Sequence, residues 1–115
     1  MVLANMRALG ITDPALVVKV DDTVGGIGEG LSAGTWTVGV SKFSTYMDID
    51  SLEHARSLSP IELEARQRAA AGTLTEAGAH VVTESIAQLP SIVAHFNELL
   101  LRGILPRDPR ARVEQ

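Results

Sequence analysis

Two adjacent carboxylates, Asp21 and Asp22, precede the hydroxyl of Thr23 and follow an apolar run, Leu16-Val17-Val18-Lys19-Val20. Side by side, two carboxylates repel one another unless a cation or hydrogen-bond donors offset their charge. A hard, oxygen-seeking ion such as Mg²⁺ answers that need. Lys19 is placed to neutralise part of the cluster. β-Branched valines favour a pleated strand, and a near-continuous apolar run suits a parallel strand covered on both faces. Open α/β sheets bind their ligands at the carboxyl ends of such strands. The competing reading is plain turn chemistry, with the acidic pair capping the helix that follows.

The elements around the pair follow from the same kind of reading. The glycine-rich stretch Val24-Gly25-Gly26-Ile27-Gly28-Glu29-Gly30 opens a predicted helix from Val24 to Ala33, with Ile27 and Leu31 facing the sheet and Gly34 closing it. Gly25 and Gly26 let backbone amides approach an anion or let the helix pack close on the strand. Thr35 to Val40 has the composition of a second strand, and strand–helix–strand over so short a span predicts a parallel pair with a right-handed crossover. Upstream, Met1, Val2, Leu3, Met6 and Leu9 make an apolar helical face closed by Gly10. No Ser, Thr, Asp or Asn precedes that helix to satisfy its first amides, so the chain is expected to be a truncated piece of a longer protein.

Downstream, Asp48-Ile49-Asp50 follows no apolar strand and reads as turn and cap chemistry for a helix near residues 51–57. Ser59-Pro60-Ile61-Glu62 is a capping box with proline at the first helical position, opening a long helix to about Ala77 that Gly78 ends. Glu62, Glu64, Arg66 and Arg68 form its expected solvated face. A third strand runs from His80 to Thr83, and an amphipathic helix from Pro90 to Arg102 turns Ile92, Val93, Phe96, Leu99 and Leu100 inward. Residues 1–103 therefore make one domain, and residues 104–115, with two prolines and three arginines, are expected to be a disordered tail.

Composition narrows the function classes. The 115 residues allow one small domain, and no apolar run approaches the roughly 20 residues that span a bilayer. With no cysteine, disulfides and thiolate chemistry are excluded. A formal charge of −4 argues against nucleic acid, whose phosphates demand clustered basic residues. Neither a membrane nor a nucleic acid is thus an expected partner, and a cytoplasmic location is expected. His54 and His95 fall on predicted helices as surface or half-buried residues. His80 opens a strand without a second ligand at metal-binding spacing, and Trp36 is expected in the core.

Several segments together carry a family resemblance. Lys19-Val20-Asp21-Asp22-Thr23-Val24, Glu29-Gly30-Leu31, Ala33-Gly34 and Trp36-Thr37-Val38-Gly39-Val40 resemble the fourth motif region of the haloacid dehalogenase superfamily. With Leu58-Ser59-Pro60, Ala77-Gly78-Ala79-His80-Val81-Val82 and Ser85-Ile86-Ala87-Gln88-Leu89-Pro90, they are similar to the C-terminal part of its phosphonoacetaldehyde hydrolase family. The likeness covers about residues 1–103. It implies a partial Rossmann-like α/β core, a parallel sheet of about three strands flanked by helices, without the family's cap domain. It further implies Mg²⁺ as cofactor, a small phosphonate as substrate, and a homodimeric full-length enzyme. Asp22 is then the expected Mg²⁺ ligand and Asp21 its indirect or water-mediated neighbour, with Thr23 hydrogen-bonding one of them and Lys19 in support. The family's nucleophilic aspartate, phosphate-binding residues and imine-forming lysine would all precede Met1, and neither Lys19 nor Lys42 stands in for that lysine. Two other classes compete: a receiver-like Mg²⁺-binding signalling domain, and a non-catalytic subunit docking through a sheet edge. Against the receiver, neither Val38-Gly39-Val40 nor Val81-Val82-Thr83 ends in the additional aspartate it requires.

Overall fold

In the computed structural model, which describes residues 1–42 and 44–112, one parallel sheet runs in the order β1 (Val18–Asp21), β2 (Trp36–Val40), β3 (Val81–Thr83). The sheet and its flanking helices make the α/β architecture that the strand and helix signals predict. Val18 pairs with Trp36 and Asp21 with Gly39, while Val38 pairs with Val81. This register sets the end of β1 one residue short of the end of β2.

Alternation along β2 assigns its two faces. Trp36 and Val38 point into a core completed by Ile92, Phe96 and Leu99 of helix α5 (Leu89–Leu101). Trp36 stacks on Phe96 at 4.5 Å between ring centres, and its Nε1–H donates to the Ala15 carbonyl at 3.0 Å. Burying each such aromatic contributes about 1.5–3 kcal/mol. On the opposite face, Ile27 of helix α2 (Val24–Ala33), Leu74 of helix α4 (Pro60–Glu76) and Ala79 form a smaller cluster. Helix α2 crosses from β1 to β2 and ends at Gly34, whose φ of 85° is cheap only without a Cβ. Within α2, a Cβ on Gly30 would sit 2.7 Å from Thr37 Cγ2 and 3.0 Å from Lys19 Cβ, so that glycine allows helix and sheet to close up. Helix α3 (Leu52–Ser57) takes its cap from Ser51, and α4 opens on the full Ser59–Glu62 capping box. Among the described residues, no helix is long and apolar enough to cross a membrane.

Three expectations need correction. Residues 104–112 are not a disordered tail: Ile104 and Ala111 lie in the core with Trp36 and Phe96, and a short 3-10 turn spans Pro109–Ala111. Proline and arginine content suggested disorder, but two apolar side chains at the right places were enough to anchor the segment. Residues 113–115 fall outside the described residues. Second, Pro14–Leu16 is a 3-10 turn capped by Asp13, so β1 begins only at Val18, and its four residues are half-buried rather than covered on both faces. Helix α1 (Val2–Leu9) has no cap in its own sequence, as expected, and its Val2 amide donates to Glu29 Oε1 at 2.7 Å, an acceptor brought by α2. Finally, Arg66 leaves the solvated face of α4. Its Nη1 donates to the carbonyls of Met47 at 3.0 Å and Asp48 at 2.7 Å.

Candidate functional site

The acidic turn is built almost wholly from bonds between near neighbours. Asp21 closes β1, and its Oδ1 accepts both the Thr23 amide at 2.8 Å and the Thr23 hydroxyl at 2.7 Å. That same hydroxyl oxygen accepts the Gly26 amide at 3.0 Å, so Thr23 is at once the cap of α2 and the donor that fixes Asp21. Lys19, two residues earlier on the same strand face, brings Nζ to 3.4 Å from Asp21 Oδ2. Burial pushes the Asp21 carboxyl up, but the Thr23 hydrogen bonds and the Lys19 charge outweigh it and hold the group below its usual value of 3.8. A Cβ on Gly26 would overlap the Asp21 carboxylate, which fills the space that glycine leaves over the first turn of α2.

Asp22 stands differently. It is exposed, and among the described residues it has neither a hydrogen-bond nor an ion-pair partner. One carboxylate is thus internally engaged while its neighbour stays open to an external cation. That is a suitable donor set for part of an octahedral Mg²⁺ shell, because such an ion keeps waters in most positions and takes one or two carboxylates. Among the described residues, no three His, Asp or Glu side chains gather into a metal-sized group.

Beside the turn lies a residue that the sequence reading passed over. The Tyr46 hydroxyl accepts the Val24 amide at 2.7 Å, at the first helical position of α2. Nothing local signals this, since the bond joins residues 22 apart and Tyr46 sits in a short 3-10 turn, Thr45–Met47, remote from α2 in sequence. A cavity of about 580 Å³ opens at the carboxyl ends of β2 and β3, lined in part by Ser41, Lys42, Gln67, Arg68 and Thr83. Neither Asp21 nor Asp22 lines it.

The histidines divide as their elements suggest. His54 and His95 are half-buried on α3 and α5. His80 is fully buried and serves the fold: Nδ1 accepts the Thr37 amide at 2.9 Å, and Nε2 lies 2.7 Å from the Pro106 carbonyl. With an amide aimed at Nδ1, the ring proton belongs on Nε2 and donates to Pro106. Burial keeps the imidazole below its ordinary pKa of 6.5, against the raising effect of the Pro106 bond, and Arg112 adds to the lowering.

No family model matches the chain. Phosphonoacetaldehyde hydrolases of Klebsiella pneumoniae and Salmonella typhimurium are each 42% identical to it over 106 residues, which is 92% of this chain and 39% of theirs. The chain therefore spans about two fifths of the length of the curated relatives it matches. A crystal structure of a phosphonoacetaldehyde hydrolase-like protein from Oleispira antarctica superposes with a TM-score of 0.84 at 39% identity, covering 92% of this chain and 38% of that one. A second solved structure gives 0.80 at 25% identity over 88% of this chain. Over nearly all of its length the chain is thus similar in sequence and in fold to about two fifths of phosphonoacetaldehyde hydrolases, within an α/β architecture built on a three-stranded parallel sheet.

Proposed function

We propose that the chain is the C-terminal, metal-site-bearing part of a Mg²⁺-dependent hydrolase that cleaves the carbon–phosphorus bond of phosphonoacetaldehyde to acetaldehyde and phosphate. The observation that carries this reading is the 42% identity over 106 of 115 residues, a span that must include the Asp21-Asp22-Thr23 turn. The open carboxylate of Asp22 at the end of a parallel strand supports it. In this reading Asp22 would hold the ion, while Asp21, fixed by Thr23 and Lys19, sets the direction of the turn. Mg²⁺ would supply neutralisation of phosphoryl oxygen charge. The nucleophilic aspartate and the imine-forming lysine belong to the rest of the parent enzyme, which we expect to be a cytoplasmic homodimer. The isolated chain is then inactive, because catalytic groups that act as a unit leave little when several are absent.

A chimera tests this. This chain replaces the matching segment of the Klebsiella pneumoniae enzyme, and phosphate release from phosphonoacetaldehyde is followed with and without Mg²⁺. Metal-dependent turnover that Asp22→Asn abolishes is expected, with none from the 115-residue chain alone. A folded chimera that turns over equally well as Asp22→Asn would remove Asp22 from the metal site.

A further inference from the structure

We infer that Tyr46 is a positioning residue for the acidic turn, holding the amino end of α2 so that Asp22 keeps a single orientation, with Arg66 of α4 bracing it from behind. The inference rests on the proposed role of Asp22 for its functional meaning and on geometry for everything else. Asp22 makes no bond of its own among the described residues, so its direction is set by the chain on either side. On the amino side, Asp21 is fixed by pairing with Gly39 in the sheet and by the two Thr23 hydrogen bonds. On the carboxyl side, the first amides of a helix lack intrahelical partners and need acceptors from elsewhere. Thr23 Oγ1 takes the Gly26 amide. The Val24 amide, two residues from Asp22, is taken by the Tyr46 hydroxyl at 2.7 Å.

Tyr46 itself is held. Its body packs against the cluster of Ile27, Leu74 and Ala79, and the backbone that follows it is clamped where Arg66 donates to the carbonyls of Met47 and Asp48. Asp48 adopts a φ of 54°, an unfavourable region for most residues and one that Asp tolerates. Met47 is buried. The linkage therefore runs from the middle of α4, through the loop after β2, to the first turn of α2. A tyrosine serves here where a phenylalanine would not, since the ring alone satisfies the packing and only the oxygen satisfies Val24.

The test uses the ¹⁵N-labelled 115-residue chain as it stands. Backbone relaxation at Asp22 and Val24 is compared in the parent, Tyr46→Phe and Arg66→Met, without metal, and Mg²⁺ is then titrated while the amide shifts of residues 21–24 are followed. Tyr46→Phe should lower the order of Asp22, hasten exchange of the Val24 amide, and weaken Mg²⁺ about threefold to tenfold, as loss of one hydrogen bond implies. Arg66→Met should move every readout the same way by less. Unchanged order at Asp22 in Tyr46→Phe would overturn the inference whatever the metal does. Should Tyr46→Phe fail to fold, 3-fluorotyrosine at position 46 gives a graded readout, and no change at Asp22 there is equally decisive against it. By contrast, Mg²⁺ binding that survives Asp22→Asn counts against the proposed metal site and leaves the positioning of the turn standing.

Discussion

The acidic turn and the His80 locus are both hydrogen-bonded constellations on one small sheet, yet they are built in opposite ways. Asp21, Thr23 and Gly26 bond across two or three residues, and the turn they make leaves Asp22 facing solvent. His80 bonds across 43 residues to Thr37 and across 26 to Pro106, and is buried with its ring edge-on to the stacked Trp36 and Phe96. Local bonds can be made before the fold closes and cost little to expose, which suits a site that must meet a ligand. Distant bonds exist only once the core is packed and are protected by it, which suits a clasp. On the proposed reading, the open carboxylate of Asp22 is therefore cheap to alter in stability and dear in function, and the clasp is the reverse.

The sharpest way to break that contrast is His80→Leu. It leaves the Thr37 amide and the Pro106 carbonyl buried without partners, and each such group costs about 1–3 kcal/mol. Denaturant unfolding should show a loss of about 2–5 kcal/mol, with residues 104–112 becoming open to proteases. A loss below half a kcal/mol would mean the clasp does not bind the segment at all. Next in size is Gly26→Ala, where the new methyl displaces the Asp21 carboxylate from over α2. Overpacking of this kind costs about 1–3 kcal/mol, and thermal melts should record it.

The pH dependence comes third. In the folded chain His80 sits below 6.5, so unfolding takes up a proton once the pH falls beneath that value. Its contribution is complete above about pH 6.5 and is lost as the pH drops toward the folded-state pKa, at no more than about 1.4 kcal/mol per pH unit. Chemical denaturation between pH 7.5 and 5 should show the decline, and His80→Phe should flatten it. Asp21, also lowered, loses its contribution only further down, through and below 3.8. The smallest effect belongs to Asp22→Asn. An exposed side chain without partners should shift stability by less than about 0.5 kcal/mol in either direction, while Mg²⁺ binding disappears. A large destabilisation there would erase the difference between the two regions.

What the sequence made legible follows the same division. Ser59-Pro60-Ile61-Glu62 announced its capping box, Gly34 its helix end, and the valines around Lys19 their strand, because each depends on residues a few positions apart. Thr23 beside an acidic pair was readable for the same reason. Tyr46 on Val24, Arg66 on Met47 and Asp48, Glu29 on Val2 and Pro106 on His80 were not. In each of these, a polar group on one element meets an unsatisfied backbone group on another, and no periodicity or capping rule encodes that meeting. The misjudged tail belongs here too, since Ile104 and Ala111 acquire their anchoring value only from a core assembled by distant strands.

The overlap between a Cβ at position 26 and the carboxylate of Asp21 also constrains how this protein can evolve. A side chain at 26 is excluded while Asp21 keeps its place, and becomes admissible once residue 21 shrinks. The two positions are thus epistatic, and the order of their changes matters. Asp21→Gly first opens a path to larger residues at 26, whereas the reverse order passes through a destabilised intermediate. A double-mutant cycle on Asp21→Gly and Gly26→Ala should show coupling of about 0.5–3 kcal/mol, with the pair less damaging together than their separate costs add up to.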